Sequence, residues 1–284
     1  MKTMNDAVGS VTSGVVARAN AIPASPGDVV RGGLLNCSVC GRPKQHRLKL
    51  MGKETVVRCM CRCENAQYEA EKKRAQERDR QMRAQQLRVE GIQDPAMRKH
   101  RFEDAEETSV LAKCRRYAER WDEIGKAGKG LLLWGDVGTG KTFAASCIAN
   151  ALIDRNVPVL MTSFPRILNT AGYDKSAVIK QMQQFSLVIL DDFGVERQSD
   201  YALEIVQFVL DERYKSGHPL IVTTNLTLRD LRSPKNITCA RMFDRLNEMC
   251  VPLHFEGISR RKAKAEENLR AMSDFLSLLE PGAR

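Results

Sequence analysis

Residues 131 to 134 read Leu-Leu-Leu-Trp, residues 135 to 142 read Gly-Asp-Val-Gly-Thr-Gly-Lys-Thr, and Phe143, Ala144, Ala145, Ile148, Ala149 and Leu152 then follow at helical spacing. This stretch constrains the fold more than any other, because it prescribes a strand, a tight loop and a helix in succession. Glycine has no Cβ, so a backbone containing Gly135, Gly138 and Gly140 can close around a bulky anion and offer it N–H groups. The helix that follows brings its partially positive N-terminus to the same point. Lys141 adds a charge suited to β- and γ-phosphate oxygens, and Thr142 adds a hydroxyl suited to Mg²⁺. Gly135, Asp136, Val137, Gly138, Thr139, Gly140, Lys141, Thr142 and Phe143 therefore read as the ATP cradle of a P-loop NTPase.

The surrounding chain fits a sheet buried on both faces. Apolar strand candidates fall at 131–134, 157–161, 187–190, 220–224 and 251–255, with helix candidates at 110–124, 142–155, 164–168, 201–215 and 240–249. Such alternation implies an α/β fold with a mostly parallel sheet and helices on both sides. The 187–190 strand runs into Asp191 and Asp192. In P-loop enzymes an acid at this strand end holds the Mg²⁺ shell, the role expected of Asp191. Asp192 is placed to orient or deprotonate the attacking water; the same pair also suits a cap on the turn before Gly194. The 220–224 strand ends at Asn225, whose amide could reach the γ-phosphate or the lytic water, although asparagine is common wherever a strand turns. Arg241 and Arg245 are four apart and share a helix face. They suit an arginine finger acting on a neighbour's phosphate, and equally suit surface arginines paired with Asp244 or Glu248.

Upstream, Cys37-Ser-Val-Cys40 is followed by Cys59-Met-Cys61-Arg-Cys63. Four thiolates from two short hairpins would bind Zn²⁺ tetrahedrally, and so polar a segment could hardly fold without metal. Five cysteines compete for four places. Cys37, Cys40, Cys61 and Cys63 are the favoured set, Cys59 the alternative, and His46 an outside candidate. Cys114, Cys147, Cys239 and Cys250 read as small packing residues. The excess of 45 basic over 35 acidic residues gives a net charge of +10, which suits a polyanionic partner or an ordinary solvated surface. No apolar run approaches a membrane span, and the interrupted stretch to Ile22 does not suit a signal peptide. Nine cysteines beside a nucleotide site suit a reducing cytoplasm.

Five motifs in order — residues 130–142, 187–194, 223–225, 241–246 and 257–260 — resemble the AAA+ ATPases of the DnaC/IstB family. The resemblance covers roughly residues 90–262. It implies a five-stranded parallel AAA+ core, ATP hydrolysis, Asn225 as sensor 1, and Arg245 as the arginine finger with Arg241 beside it. A sensor-2 arginine would fall at Arg260 or Arg261. Many AAA+ proteins carry Asp-Glu where this chain has Asp191-Asp192, and the shorter second carboxylate implies slow, switch-like turnover. Similar cysteine-rich N-terminal modules occur in phage and Gram-positive helicase loaders of the family, while IstB-type transposition helpers generally lack one. The resemblance therefore implies an ATP-dependent DNA replication protein that loads a replicative helicase hexamer onto single-stranded DNA. It also implies self-association on ATP.

The expected organisation is a flexible arm at 1–33, a zinc-binding module at 34–66, a helical linker at 67–97, an AAA+ domain at 98–258 and a helical tail at 259–284. Phe164, Arg166, Tyr173 and Lys175 are candidates for stacking on bases and tracking phosphates, with Phe164 and Tyr173 equally suited to the core. The run Lys72, Lys73 and Arg74 reads as a solvated helix face.

Overall fold

The computed structural model describes residues 26–50, 52–163, 165–167, 180, 182–194, 200–232, 237–257 and 259–277. They form two compact units that divide between Asp79 and Arg80. Among the described residues no helix is long and apolar enough to cross a membrane.

The first unit is built from two antiparallel ribbons. Strand β1 (Val29–Arg31) pairs with β2 (Leu34–Asn36), and β3 (Gln45–Leu50) pairs with β4 (Lys53–Arg58). Val29–Arg31 falls in the stretch expected to be a flexible arm; pairing with β2 gives its backbone groups partners. Helix α1 (Arg62–Gly91) follows, charged and mostly exposed, and it crosses the division between the units. Lys72, Lys73 and Arg74 are exposed on it.

Among its described residues the second unit holds five strands: β5 (Gly130–Trp134), β6 (Val159–Ser163), β7 (Leu187–Phe193), β8 (Leu220–Thr224) and β9 (Cys250–His254). They lie in the order β6-β7-β8-β5-β9, every neighbouring pair parallel. Period-two alternation sends successive side chains to opposite faces. Leu131, Leu133, Met161, Ile189 and Ile221 pack on one face against helices α2 (Ser109–Glu119) and α4 (Lys141–Asp154). Leu132, Leu160, Val188, Leu190 and Val222 pack on the other against α5 (Asp200–Ser216), α6 (Leu228–Arg232) and α7 (Ile237–Met249). Both faces are dry, which is why the strands read as continuous apolar runs. Cys114, Cys147 and Cys250 are buried as expected of packing residues, and burial pushes each thiol up to about 12.

Three boundaries differ from the periodicity reading for local reasons. The expected 110–124 helix is two, because the chain bends at Arg120 before α3 (Trp121–Ala127), whose Trp121 is buried. Strand β6 starts two residues late. Asn156 holds a left-handed φ of 60°, and its N–H and that of Val157 bond to Ile153 and Leu152 carbonyls, at 2.8 and 3.1 Å. That Schellman closure spends Val157 on ending α4. Strand β7 runs past Leu190 to Phe193, with a bulge against β8 between those residues. Beyond β6, Ile92 forms a parallel bridge with Met161 and covers part of the sheet edge. Gly91 permits this approach, since a Cβ there would lie 1.9 Å from the Val159 carbonyl oxygen.

Candidate functional site

In an open parallel sheet ligands bind beyond the strand C-termini where the chain's winding reverses. Strand β5 leaves the sheet at that point: its helix α4 leads to β6, three strands away, while β9 flanks it on the other side. The loop between them is residues 135–140. Gly135 has φ 139° and Gly138 φ 85°. A Cβ at Gly135 would fall 2.3 Å from the Phe255 carbonyl oxygen, and one at Gly138 would fall 2.1 Å from Ser259 Oγ. The glycines are thus required by the protein's own packing as well as by a phosphate. Gly140 caps α4 without a side chain, so the first-turn N–H groups of the helix face outward for an anion.

Lys141 is buried and its Nζ donates to the carbonyls of Gly135 and Asp136 at 2.8 and 2.6 Å. This pins the ammonium across the loop, where phosphate oxygens would meet it. Thr139 Oγ1 donates to the Asp136 carbonyl at 2.9 Å. Asp136 and Val137 are exposed on the loop, and Phe143 is half-buried with its ring 4.9 Å from that of His100. Thr142 Oγ1 donates to Asp191 Oδ1 at 2.9 Å, and Thr223 Oγ1 donates to the same oxygen at 2.6 Å. A hydroxyl and a carboxylate side by side at a phosphate loop are the donor set for Mg²⁺. Thr142 can coordinate through a lone pair while its O–H still donates to Asp191. Asp191 is buried, whereas Asp192 is exposed and holds φ of 56°, a strained conformation for a residue with a Cβ.

Asn225 follows β8 directly and is half-buried. The two arginines on α7 separate. Arg245 pairs with Asp211 of α5 and lies over the Tyr214 ring, its guanidinium carbon 5.9 Å from the centroid. Arg241 is exposed. Arg260 and Arg261 begin helix α8 (Arg260–Ser277), but their side chains lie outside the described residues. So do Phe164, Tyr173, Lys175 and the side chain of Cys239. Arg166 is exposed and donates to Gln93 Oε1 at 3.4 Å.

Periodicity gave no signal for three further features. A cavity of about 450 Å³ opens beside Gly140, lined by Thr108–Leu111, Phe143 and residues 254–257. It has room for a nucleoside next to the phosphate loop. The Trp134 and His254 rings stack at 3.7 Å, and His254 Nδ1 lies 2.6 Å from Glu256 Oε1. Behind α4, Asn150 is fully buried. Its Nδ2 donates to the carbonyls of Met97, His100 and Ser146, and its Oδ1 accepts from Arg88 Nε at 2.9 Å.

In the first unit the Sγ atoms of Cys37, Cys40, Cys61 and Cys63 lie within 4.8 Å of one another. Sulfurs at about 2.3 Å from a tetrahedral ion sit about 3.8 Å apart, so the cluster fits zinc. Cys59 is not in the group; its Sγ lies 3.7 Å from the Pro43 carbonyl oxygen. His46 is in β3 and also outside it. Gly41, with φ 67°, turns the first knuckle, and its N–H donates to the Cys37 carbonyl at 2.9 Å. Cys61 precedes α1, where the Glu64 N–H points at its Sγ from 3.5 Å. The thiols compete for charge. A hydrogen bond from the Arg42 backbone chiefly lowers Cys40 to about 6, while a hydrogen bond with Cys40 chiefly raises Cys63 to about 11. Burial raises Cys61. Ionising all four sulfurs this close together would take a cation between them.

The sequence profile of the IstB-like ATP binding proteins matches residues 54–268. The chain belongs to that family. It is 27% identical over 160 residues to the replicative helicase loader DnaI of Bacillus subtilis (strain 168), covering 51% of each chain. It is 25% identical over 146 residues to the replicative helicase loader DnaC of Escherichia coli (strain K12), covering 49% of this chain and 58% of DnaC. The chain thus spans between half and three-fifths of the length of these curated relatives. The crystal structure of DnaI superposes with a TM-score of 0.51 at 25% identity, over 59% of this chain and 93% of that one. A parallel five-stranded α/β core and an ATP-binding family are thereby shown.

Proposed function

We propose that this IstB-like protein is an ATPase that loads a replicative helicase onto single-stranded DNA, with ATP binding and hydrolysis switching assembly and release. The observation that carries the ATPase reading is the Thr142–Asp191–Thr223 hydrogen-bonded cluster at the mouth of the phosphate loop. Lys141, the α4 N-terminus and the loop glycines hold the phosphates. Mg²⁺ on Thr142 and Asp191 would neutralise charge on the phosphate oxygens. Asp192 orients the attacking water, and Asn225 at the end of β8 reaches the same side of the sheet.

Arg241 is the better arginine finger, because Arg245 is already neutralised by Asp211. A finger on α7 serves a neighbouring protomer, so the site is completed by self-association. An aspartate at 192 is one methylene shorter than glutamate, and turnover of the isolated protein is expected below about 1 s⁻¹. Similarity to two helicase loaders and a four-cysteine module ahead of the ATP site support the loader role. The module and α1 would grip the helicase.

The test is helicase loading on a single-stranded circle, with wild type, Lys141→Ala and Asp192→Asn. Loading by wild type and its loss in Lys141→Ala is the expected result. Normal loading by Lys141→Ala would show that the ATP site is not the motor. The IstB-like profile favours a second reading, a helper ATPase that presents DNA to a transposase. Recovery of a transposase and no helicase in an ATP-dependent pull-down would select it.

A further inference from the structure

Thr223 of β8 is fully buried, and its hydroxyl touches both acids of the site. Oγ1 accepts the Asp192 backbone N–H at 2.9 Å and donates to Asp191 Oδ1 at 2.6 Å. A hydroxyl has one proton, and an N–H arriving on a lone pair leaves that proton for the carboxylate, so both bonds have a fixed sense.

The strand register shows what this contact does. From Leu190 to Phe193 strand β7 spends three steps, while β8 spends two from Val222 to Thr224. The extra residue bends β7 and takes the Asp192 N–H out of the β8 ladder, and this part-buried donor needs another acceptor. Thr223 supplies it from a side chain. Asp192 can then hold φ of 56°, a conformation that persists only when its surroundings impose it. Thr142 Oγ1 meets the same Asp191 oxygen from the phosphate loop at 2.9 Å. Asp191 is therefore clamped between the loop and β8, and the backbone of Asp192 is tied to β8 by the Thr223 hydroxyl.

We propose that Thr223 is a positioning residue for ATP hydrolysis, its hydroxyl fixing the β7 bulge that sets the Asp192 carboxylate against the Asp191 site. The proposal rests on the ATPase reading above. It also ties β8, which leads into Asn225, to both acids, so displacement of β8 moves the three together.

Valine and serine divide the two things a threonine offers. Thr223→Val keeps the shape and removes the hydroxyl; Thr223→Ser keeps the hydroxyl and removes the methyl. Steady-state ATP hydrolysis and calorimetric Mg–ATP binding are measured for the full chain, with and without single-stranded DNA. Thr223→Val is expected to lose about 10–100-fold in kcat, the scale for partners that orient metal-site ligands, with ATP affinity nearly unchanged. Thr223→Ser is expected to stay within about threefold of wild type. A merely structural role in packing reverses that order, and such a reversal overturns the proposal. So does wild-type kcat in Thr223→Val. Should the valine variant fail to fold, Thr223→Cys replaces it; its weak S–H donor predicts a kcat between those of Thr223→Ser and Lys141→Ala, and full activity refutes the proposal. A wild-type protein that binds ATP and releases no phosphate refutes the ATPase reading itself. Wild-type turnover beside an unimpaired valine variant refutes the positioning role alone.

Discussion

Replacing Asn150 by alanine should detach the segment after α1 from the phosphate-loop helix. Asn150 has no exposed surface and lies on α4, nine residues after Lys141. Its amide bonds the carbonyls of Met97 and His100 at 2.8 and 3.1 Å, and its oxygen accepts from Arg88 Nε at 2.9 Å. A hydrogen bond to a charged group contributes about 1.5–3 kcal/mol and a neutral one about 0.5–1.5 kcal/mol, before water enters the gap. Asn150→Ala should therefore cost about 3 kcal/mol and lower Tm by about 6–12 °C in a unit of this size. The chain's 2 tryptophans, Trp121 and Trp134, both fall after Arg80, so urea unfolding followed by tryptophan fluorescence reads this unit specifically. Arg88→Ala and the double variant complete a cycle, with a coupling of about 1–3 kcal/mol expected between groups in one network. A loss below about 1 kcal/mol for Asn150→Ala, or strict additivity, would refute the reasoning.

Three further outcomes follow from the same geometry. Ser146 Oγ donates to the Phe143 carbonyl, so it accepts from His100 Nδ1–H at 2.7 Å, and burial holds the imidazole below its ordinary pKa. The unfolded chain then binds more protons, and stability should fall as pH drops from about 7.5 to about 5.5, a slope that His100→Gln flattens in urea titrations. Asp192→Gly should relieve the left-handed strain, raising the urea midpoint by an amount equivalent to about 0.5–1 kcal/mol while abolishing phosphate release; a lower midpoint would show that the backbone there is unstrained. One zinc per chain is expected by elemental analysis, lost in Cys40→Ser and kept in Cys59→Ser, with chelation melting the hairpins in far-UV circular dichroism; zinc retention by Cys40→Ser would remove that thiol from the site.

Local features were legible in the order of residues alone. A strand, a glycine loop and a helix are encoded by residues within a few positions of one another, so the phosphate loop, α4 and the apolar strands were legible from spacing. The acids at the end of β7 were legible for the same reason. The cysteines were legible as a group, since a CxxC knuckle is a local turn, but five thiols for four places left the choice open. Only the tertiary structure set Cys61 and Cys63 beside Cys37 and Cys40 and left Cys59 out, because that depends on how the β3–β4 ribbon and the start of α1 fold back on the first knuckle. It alone separated Arg241 from Arg245, which share a helix face in sequence but differ in what α5 places opposite them. It alone brought the Thr223 hydroxyl to both acids, across 31 and 32 positions of chain, and the register shift that brings them together has no trace in periodicity. Spacing encodes which face a side chain takes; contact across a sheet also needs the register of two strands, and that is fixed only when the whole core packs.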